Sequence, residues 1–200
     1  AALVRRFEPG QRILDVGCGG GREAVPMVRA GLRPVAMDVS LGMVRAAKAY
    51  ASEREADMPV VAASLGALPF RPEAFDGIAL LGQVIAHVPG RDGRVGALRE
   101  VRRALRPGGT LVITTHNRRC HWRFSLYFGW VNAWRRWMRR LGFRAELGDH
   151  DRWSTRISRA RGGRPVYFHM YDLDEAVADL TAAGFEVARA WARGELEAGR

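Results

Sequence analysis

The sequence predicts a three-layer α/β/α fold built on a doubly wound, mostly parallel sheet. Three observations carry that prediction: short apolar runs alternate with stretches of helical periodicity, the first run breaks into a glycine cluster, and the first two runs each contain or end on an acid. Two hundred residues at 48% hydrophobic and 26% charged suffice for one such core and are too few for two, so residues 1–200 are expected to form a single domain. In an open parallel sheet the ligand lies at the carboxyl ends of the strands.

Ile13 to Val16 reads as a buried strand that turns through Gly17, Cys18, Gly19, Gly20 and Gly21. Glycines suit such a corner because the turn needs positive φ and a ligand must approach the main chain. A helical stretch over 23–30 follows, then a second strand, Pro34 to Asp38, whose terminal carboxylate can accept both hydroxyls of a ribose. Val60 to Ala63 reads as strand three and Phe75 to Leu81 as strand four. Val95, Leu98, Val101 and Leu105 recur at helical spacing, and Arg106-Pro107-Gly108-Gly109 stops that helix before a fifth strand from Thr110 to Thr115. A last helix is expected from Tyr171 to Ala183, with Leu173, Val177 and Leu180 on one face, and Gly184 to Trp191 reads as strand six.

The glycine spacing separates two cofactor classes. Counting from Gly17, the third glycine of a dinucleotide fingerprint is replaced by Arg22. Asp15 followed by Gly17, Gly19 and Gly21 instead resembles motif I of the class I S-adenosylmethionine (SAM) dependent methyltransferases, a Rossmann-like family. Ser64-Leu65-Gly66-Ala67-Leu68-Pro69-Phe70 resembles that family's D-A-x-x-L-P-F segment, with Ser64 in place of the usual acid, and Leu105 to Leu111 resembles its L-R-P-G-G-x-L. The resemblance covers most of the first 115 residues and is nearest to the ubiquinone-biosynthesis type. It implies SAM as cofactor, S-adenosylhomocysteine as product, and cofactor contacts from Asp15, Gly17, Cys18, Gly19, Gly21, Asp38, Val39, Met43, Ser64, Leu65 and Gln83. The family's sheet ends on a seventh, antiparallel strand, for which Gly194 to Arg200 is short and polar. A six-stranded sheet, a minimal last strand or a trimmed chain is therefore expected.

The span from His116 to Val166 differs from the rest. It holds thirteen arginines against Glu146, Asp149 and Asp151, a local charge of +10 out of a formal +11. Nine of the eighteen aromatic residues also fall there. Tyr127, Trp130, Val131, Trp134, Trp137, Met138 and Leu141 recur at steps of three or four, one face of a helix, with Arg135, Arg136, Arg139 and Arg140 around it. Three readings stand: a lid whose aromatic stripe packs on the core above the substrate with the arginines solvated, a surface for tRNA or another polyanion, and a helix lying on an anionic membrane surface.

Methyl transfer needs an aligned nucleophile and a base where that nucleophile starts protonated. His87, on the segment that in the family passes under the methyl group, and His116, just beyond strand five, are the first candidates, with His121 and His169 farther out. Residues 164–187 resemble the tails both of tRNA wobble-uridine methyltransferases and of small-molecule methyltransferases. The expected reaction is methylation of a small or lipid-like molecule; a tRNA methyltransferase and a SAM-binding module without turnover are the alternatives. No metal is expected. Cys18 and Cys120 are expected as free thiols. With neither a long apolar span nor a basic-then-apolar leader, the expected location is cytoplasmic, with peripheral membrane association as a variant.

Overall fold

A computed structural model describes residues 6–120, 122–143, 148–154 and 166–191. The chain divides into two compact units, the first comprising Ala1–Val84 and Gly96–Thr114, the second Ile85–Val95 and Thr115–Arg200.

The first unit is a five-stranded sheet of β1 (Arg12–Val16), β2 (Arg33–Asp38), β3 (Val60–Ala62), β4 (Phe75–Leu80) and β5 (Leu105–Ile113), in the order β3-β2-β1-β4-β5. Every pairing is parallel, so the sheet is parallel throughout. Helices α1 (Ala24–Arg29) and α2 (Leu41–Ser52) connect its first half, and α3 (Arg91–Ala104) leads into β5. The strands are apolar because both faces are covered: Ile13, Leu14, Val16, Ile78 and Leu80 are all at most 1% exposed. Burying each such side chain contributes about 1.5–3 kcal/mol.

Small residues set the closest approaches. Gly77 in β4 is bare because the Phe7 ring occupies the space its Cβ would take, 2.4 Å away. That ring, with Ile13, Met27, Leu32 and Ala79, closes one core cluster; Ala24, Val25, Ala36, Ala51, Ala56 and Met58 form another. The Arg106–Gly109 segment is absorbed as an irregularity in β5, whose register jumps between Phe75↔Leu105 and Gly77↔Thr110. Because β1 leads to β2 on one side and pairs β4 on the other, the order of the strands reverses at the carboxyl end of β1, where a crevice is expected.

The second unit contains α4 (Trp122–Arg140), the antiparallel pair β6 (Asp151–Ser154) and β7 (Val166–His169), and α5 (Leu173–Ala182). Its apolar cluster is Ala86, Phe128, Phe168 and Met170. Beside it lies a polar core. Asp179, 1% exposed, accepts from Arg91 Nε at 2.8 Å and from the Tyr171 hydroxyl at 3.2 Å, with Arg94 Nε at 3.5 Å. Arg118 binds Asp172 and Glu175, and His169 places Nδ1 on Asp151 and Nε2 on Glu175, both at 2.7 Å.

Three expectations are corrected. Gly184 to Trp191 forms no strand: Gly184, at φ +88°, and Phe185 close the end of α5 by donating to Thr181 and Leu180, and no ladder partner follows among the described residues. The main sheet therefore has five strands rather than six; the span expected to supply a seventh lies outside the described residues. The β6–β7 pair was not foreseen. Most directly, the aromatic stripe of α4 does not pack inward. Trp130, Trp134, Trp137, Tyr127 and Leu141 are 49–74% exposed, whereas Phe128 and Asn132 are 2% and 3% exposed. The packed face is the one carrying Phe128, and the arginines beside it are tied down: Arg135 donates to the Gly148 carbonyl at 2.7 Å, while Arg136 and Arg139 pair with Asp149.

Candidate functional site

The carboxyl end of β1 is where the unusual chemistry collects. Gly17 and Cys18 both donate backbone N–H groups to the Met37 carbonyl, at 2.7 and 3.0 Å, which folds the glycine loop against β2. Asp38, closing β2, fastens that loop: Oδ2 accepts from Gly19 N–H and Oδ1 from Ser40 N–H, each at 2.9 Å. A carboxylate oxygen has two lone pairs, so both remain able to accept a ligand hydroxyl. Ser40 then caps α2 through a bond from Met43 N–H.

The loop glycines differ in function. Gly17 (φ +71°) has the Val84 Cγ2 atom 2.2 Å from where its Cβ would be, a close packing contact that the motif alone did not reveal. Gly21 (φ +81°) sits against Ala47 and Met58, letting α1 and α2 approach. Gly19 (φ +53°) and Gly20 face open space, leaving a cradle with exposed main chain.

Asp15 is 1% exposed, and its Oδ2 is buried with no hydrogen-bond partner. Burial, reinforced by the charges of Glu23 and Asp38, pushes its carboxyl up to about 7. A buried acceptor without a donor is costly, by about 1–3 kcal/mol, and is satisfied by a cation that fits beside it. The same surroundings, burial first and then Asp15 and Asp38, push the Cys18 thiol up to about 12, so that it stays protonated. Cys18 is a free cysteine.

The remaining predicted contacts follow the carboxyl ends of β2, β3 and β4. Val39, Leu41 and Met43, just beyond Asp38, are 76%, 62% and 40% exposed, an apolar rim of the kind that suits a flat ring. Ser64 is exposed and accepts from Gly66 N–H, while Leu65 is buried. Their segment is anchored by Arg103, which donates to the Leu68 and Phe70 carbonyls at 3.0 and 2.8 Å and pairs with Glu100. Gly82 and Gln83 follow β4 with φ of +62° and +63°, and a left-handed glutamine is uncommon.

His87 and His116 belong to the second unit, where the structure brings them together. His87 Nδ1 lies 2.9 Å from the Tyr167 carbonyl oxygen. A carbonyl only accepts, so Nδ1 carries the proton and Nε2 of the neutral ring offers a lone pair. The His116 ring leans on Phe168, and burial, then the charges of His87 and Arg152, hold it below the ordinary histidine value. His169 is different: both its nitrogens are committed to carboxylates, which requires the doubly protonated ring and leaves no lone pair. His121 lies outside the described residues. Among the described residues no group of three or more His, Cys, Asp or Glu is placed to hold a metal.

Comparison with known proteins decides the family. A family model described as "Methyltransferase domain" matches residues 14–113, half of the chain. The chain belongs to this methyltransferase-domain family. It is 39% identical over 106 residues to Demethylmenaquinone methyltransferase of Renibacterium salmoninarum, covering 52% of this chain and 41% of that one. It is 33% identical over 111 residues to Ubiquinone biosynthesis O-methyltransferase of Xanthomonas campestris pv. campestris, covering 55% and 45%. The matches thus span less than half the length of these relatives.

Among solved structures, a SAM-dependent methyltransferase from Methanosarcina mazei superposes with a TM-score of 0.75 at 18% identity, over 94% of this chain and 85% of that one. The cyclase SpnF gives 0.66 at 25% identity, over 94% and 56%. The methyltransferase-domain chain therefore has the class I, Rossmann-like fold. SAM is the cofactor of such domains, and the corner fits it: an unpaired buried carboxylate for an ammonium, a strand-end carboxylate with spare lone pairs for hydroxyls, an open glycine cradle, and three acids whose field suits a cationic ligand. Glu23 is the member of that set that motif reading missed; its only signal was an acid two residues beyond Gly21, at the start of α1.

Proposed function

We propose that the chain is a SAM-dependent methyltransferase acting on a small-molecule or lipid-like acceptor. The observation that carries this reading is the buried Asp15 carboxylate with its unpaired Oδ2 at the glycine corner. SAM, when bound, supplies an electrophilic methyl on a sulfonium. Asp15 would hold its ammonium, Asp38 its ribose hydroxyls, and Gly19 and Gly20 would leave room for its methionine portion. Gln83 and the apolar rim at Val39 and Met43 complete the proposed contacts, with Ser64 and Leu65 on the adenine side.

His87 is the proposed base. With Nδ1 held by Tyr167, its Nε2 accepts the proton that an acceptor hydroxyl loses as the new bond to the methyl forms. His116, neutral at pH 7, is the second candidate. The acceptor class is supported by the relatives, which are named for menaquinone and ubiquinone methylation. It is also supported by α4, whose outward tryptophans suit an apolar partner or the headgroup region of a lipid surface. The 116–166 span is accordingly proposed as the substrate-selecting element. The names of these relatives favour this acceptor class over tRNA.

Transfer of labelled methyl from SAM into lipid, small-molecule and tRNA fractions tests the proposal, with label expected in the first two. His87→Gln should lower turnover by about 10²–10⁴-fold with SAM affinity unchanged. Label confined to tRNA, or full activity in His87→Gln, would refute the acceptor or the base respectively.

A further inference from the structure

The second unit holds a cavity of about 320 Å³, open to solvent. Among the described residues its wall is formed by Arg118, Arg119, Arg136, Ser125, Asn132 and His150. Phe128 and Gly129 add apolar surface. No acid is among these lining residues. The carboxylates instead hold the arginines from their flanks: Arg118 on Asp172 and Glu175, Arg119 on Asp172 and Asp174, Arg136 on Asp149. A guanidinium has five N–H donors in a planar fork, so pairing on one side orients it and leaves donors for another partner.

Asn132 is the buried polar residue of this wall. It is 3% exposed and lines the cavity, and its Oδ1 accepts from His150 N–H at 3.2 Å. Burial, then the neighbouring Arg118 charge, holds His150 below the ordinary histidine value, so its neutral ring adds a hydrogen-bonding group without adding charge.

We propose that this cavity is a binding site for a phosphate monoester: Arg118, Arg119 and Arg136, with Asn132 and Ser125, line one open volume that an anion with several oxygens satisfies. A carboxylate offers two oxygens to this set, whereas a phosphate monoester offers three terminal ones and forms bidentate pairs with arginine. The Phe128 ring gives the organic part of the ester an apolar wall. Every contributing residue belongs to the second unit, so the proposal does not rest on the glycine corner or on methyl transfer.

Calorimetric titration of the full chain with inorganic phosphate and with glycerol 3-phosphate tests it. Saturable one-to-one binding is expected, tighter for the ester. The paired substitution Arg119→Gln and Arg136→Gln should weaken it about tenfold for each guanidinium lost. Both side chains are more than half exposed, so the thermal midpoint should hold. The pair Arg119→Lys and Arg136→Lys keeps the charge without the fork and should fall between. No saturable binding of either probe, or unchanged binding in the glutamine pair, overturns the proposal. Vesicles containing phosphatidic acid separate the sources: competition with glycerol 3-phosphate identifies a lipid headgroup, and its absence a soluble ester.

Discussion

Gly17 and Gly19 sit two residues apart in one loop and are glycine for different reasons. Gly19 has positive φ but open surroundings, so Gly19→Ala adds only backbone strain, about 1 kcal/mol. Gly17 combines positive φ with Val84 pressed into the space of the missing Cβ, so Gly17→Ala should cost about 2–4 kcal/mol. Denaturant midpoints of the two variants would rank them, and equal losses would show that the Val84 contact is relaxed easily. Asp15, Asp38 and the glycine pattern were legible from sequence because their chemistry is local: a strand end, a turn, a fixed spacing. Val84, sixty-seven residues beyond Gly17, was not legible, because nothing in the order of residues says what will lie over a glycine. The same holds for His87, whose position could be ranked from sequence while its tautomer depends on the Tyr167 carbonyl, eighty residues away.

At the scale of elements, the first five strands and helices α1 and α3 appeared near where apolar runs and periodicity placed them, because a buried parallel strand is readable without knowing its partners, while α2 was not foreseen and β5 begins at Leu105 rather than Thr110. Helix α4 was located correctly, but of the three readings of its aromatic stripe the one that packs it on the core fails. Aromatic residues mark an apolar face, not a buried one, and Phe128 with Asn132 looked less core-like than the seven-residue stripe beside them. The faces can be told apart by mutation. Phe128→Ala should cost about 3–5 kcal/mol, whereas Trp130→Ser should stay within about 0.5 kcal/mol of the parent. Thermal midpoints measure both, and a large loss at Trp130 would contradict the outward orientation. The 184–191 span alternates like a strand, yet it lacks a described neighbour to pair with; an isolated alternation does not specify a ladder.

Across the whole molecule, the two units depend on pH in different ways. In the second, His169 is held between Asp151 and Glu175. Burial pushes its ring down, but the hydrogen bonds to Asp151 and Glu175 outweigh it and leave the ring above its ordinary 6.5. That contribution to stability is complete below about 6.5 and is lost as pH rises through the raised folded value. For the acids the sign is opposite. Burial raises Glu175 and Asp151, but hydrogen bonds, from His169 foremost, bring Glu175 down to about 2 and leave Asp151 low. Their contribution is present above about 4.5 and is lost as pH falls. The network should therefore be strongest between about pH 4.5 and 6.5. Amide hydrogen exchange in β7 and α5 across pH 3–9 would follow this, and His169→Gln should remove the alkaline decline.

In the first unit, methyl-donor recognition itself depends on Asp15, and calorimetric titration of the full chain with SAM at pH 6 and pH 7 tests it most directly. The Asp15 carboxyl titrates at about 7, and only its anion can hold an ammonium, which stays largely protonated over this range. Affinity should rise about fivefold from pH 6 to pH 7, and Asp15→Asn should bind at least tenfold more weakly without that pH dependence. Binding that is absent at both pH values, or equally tight in Asp15→Asn, would contradict a methyl-donor site at the glycine corner.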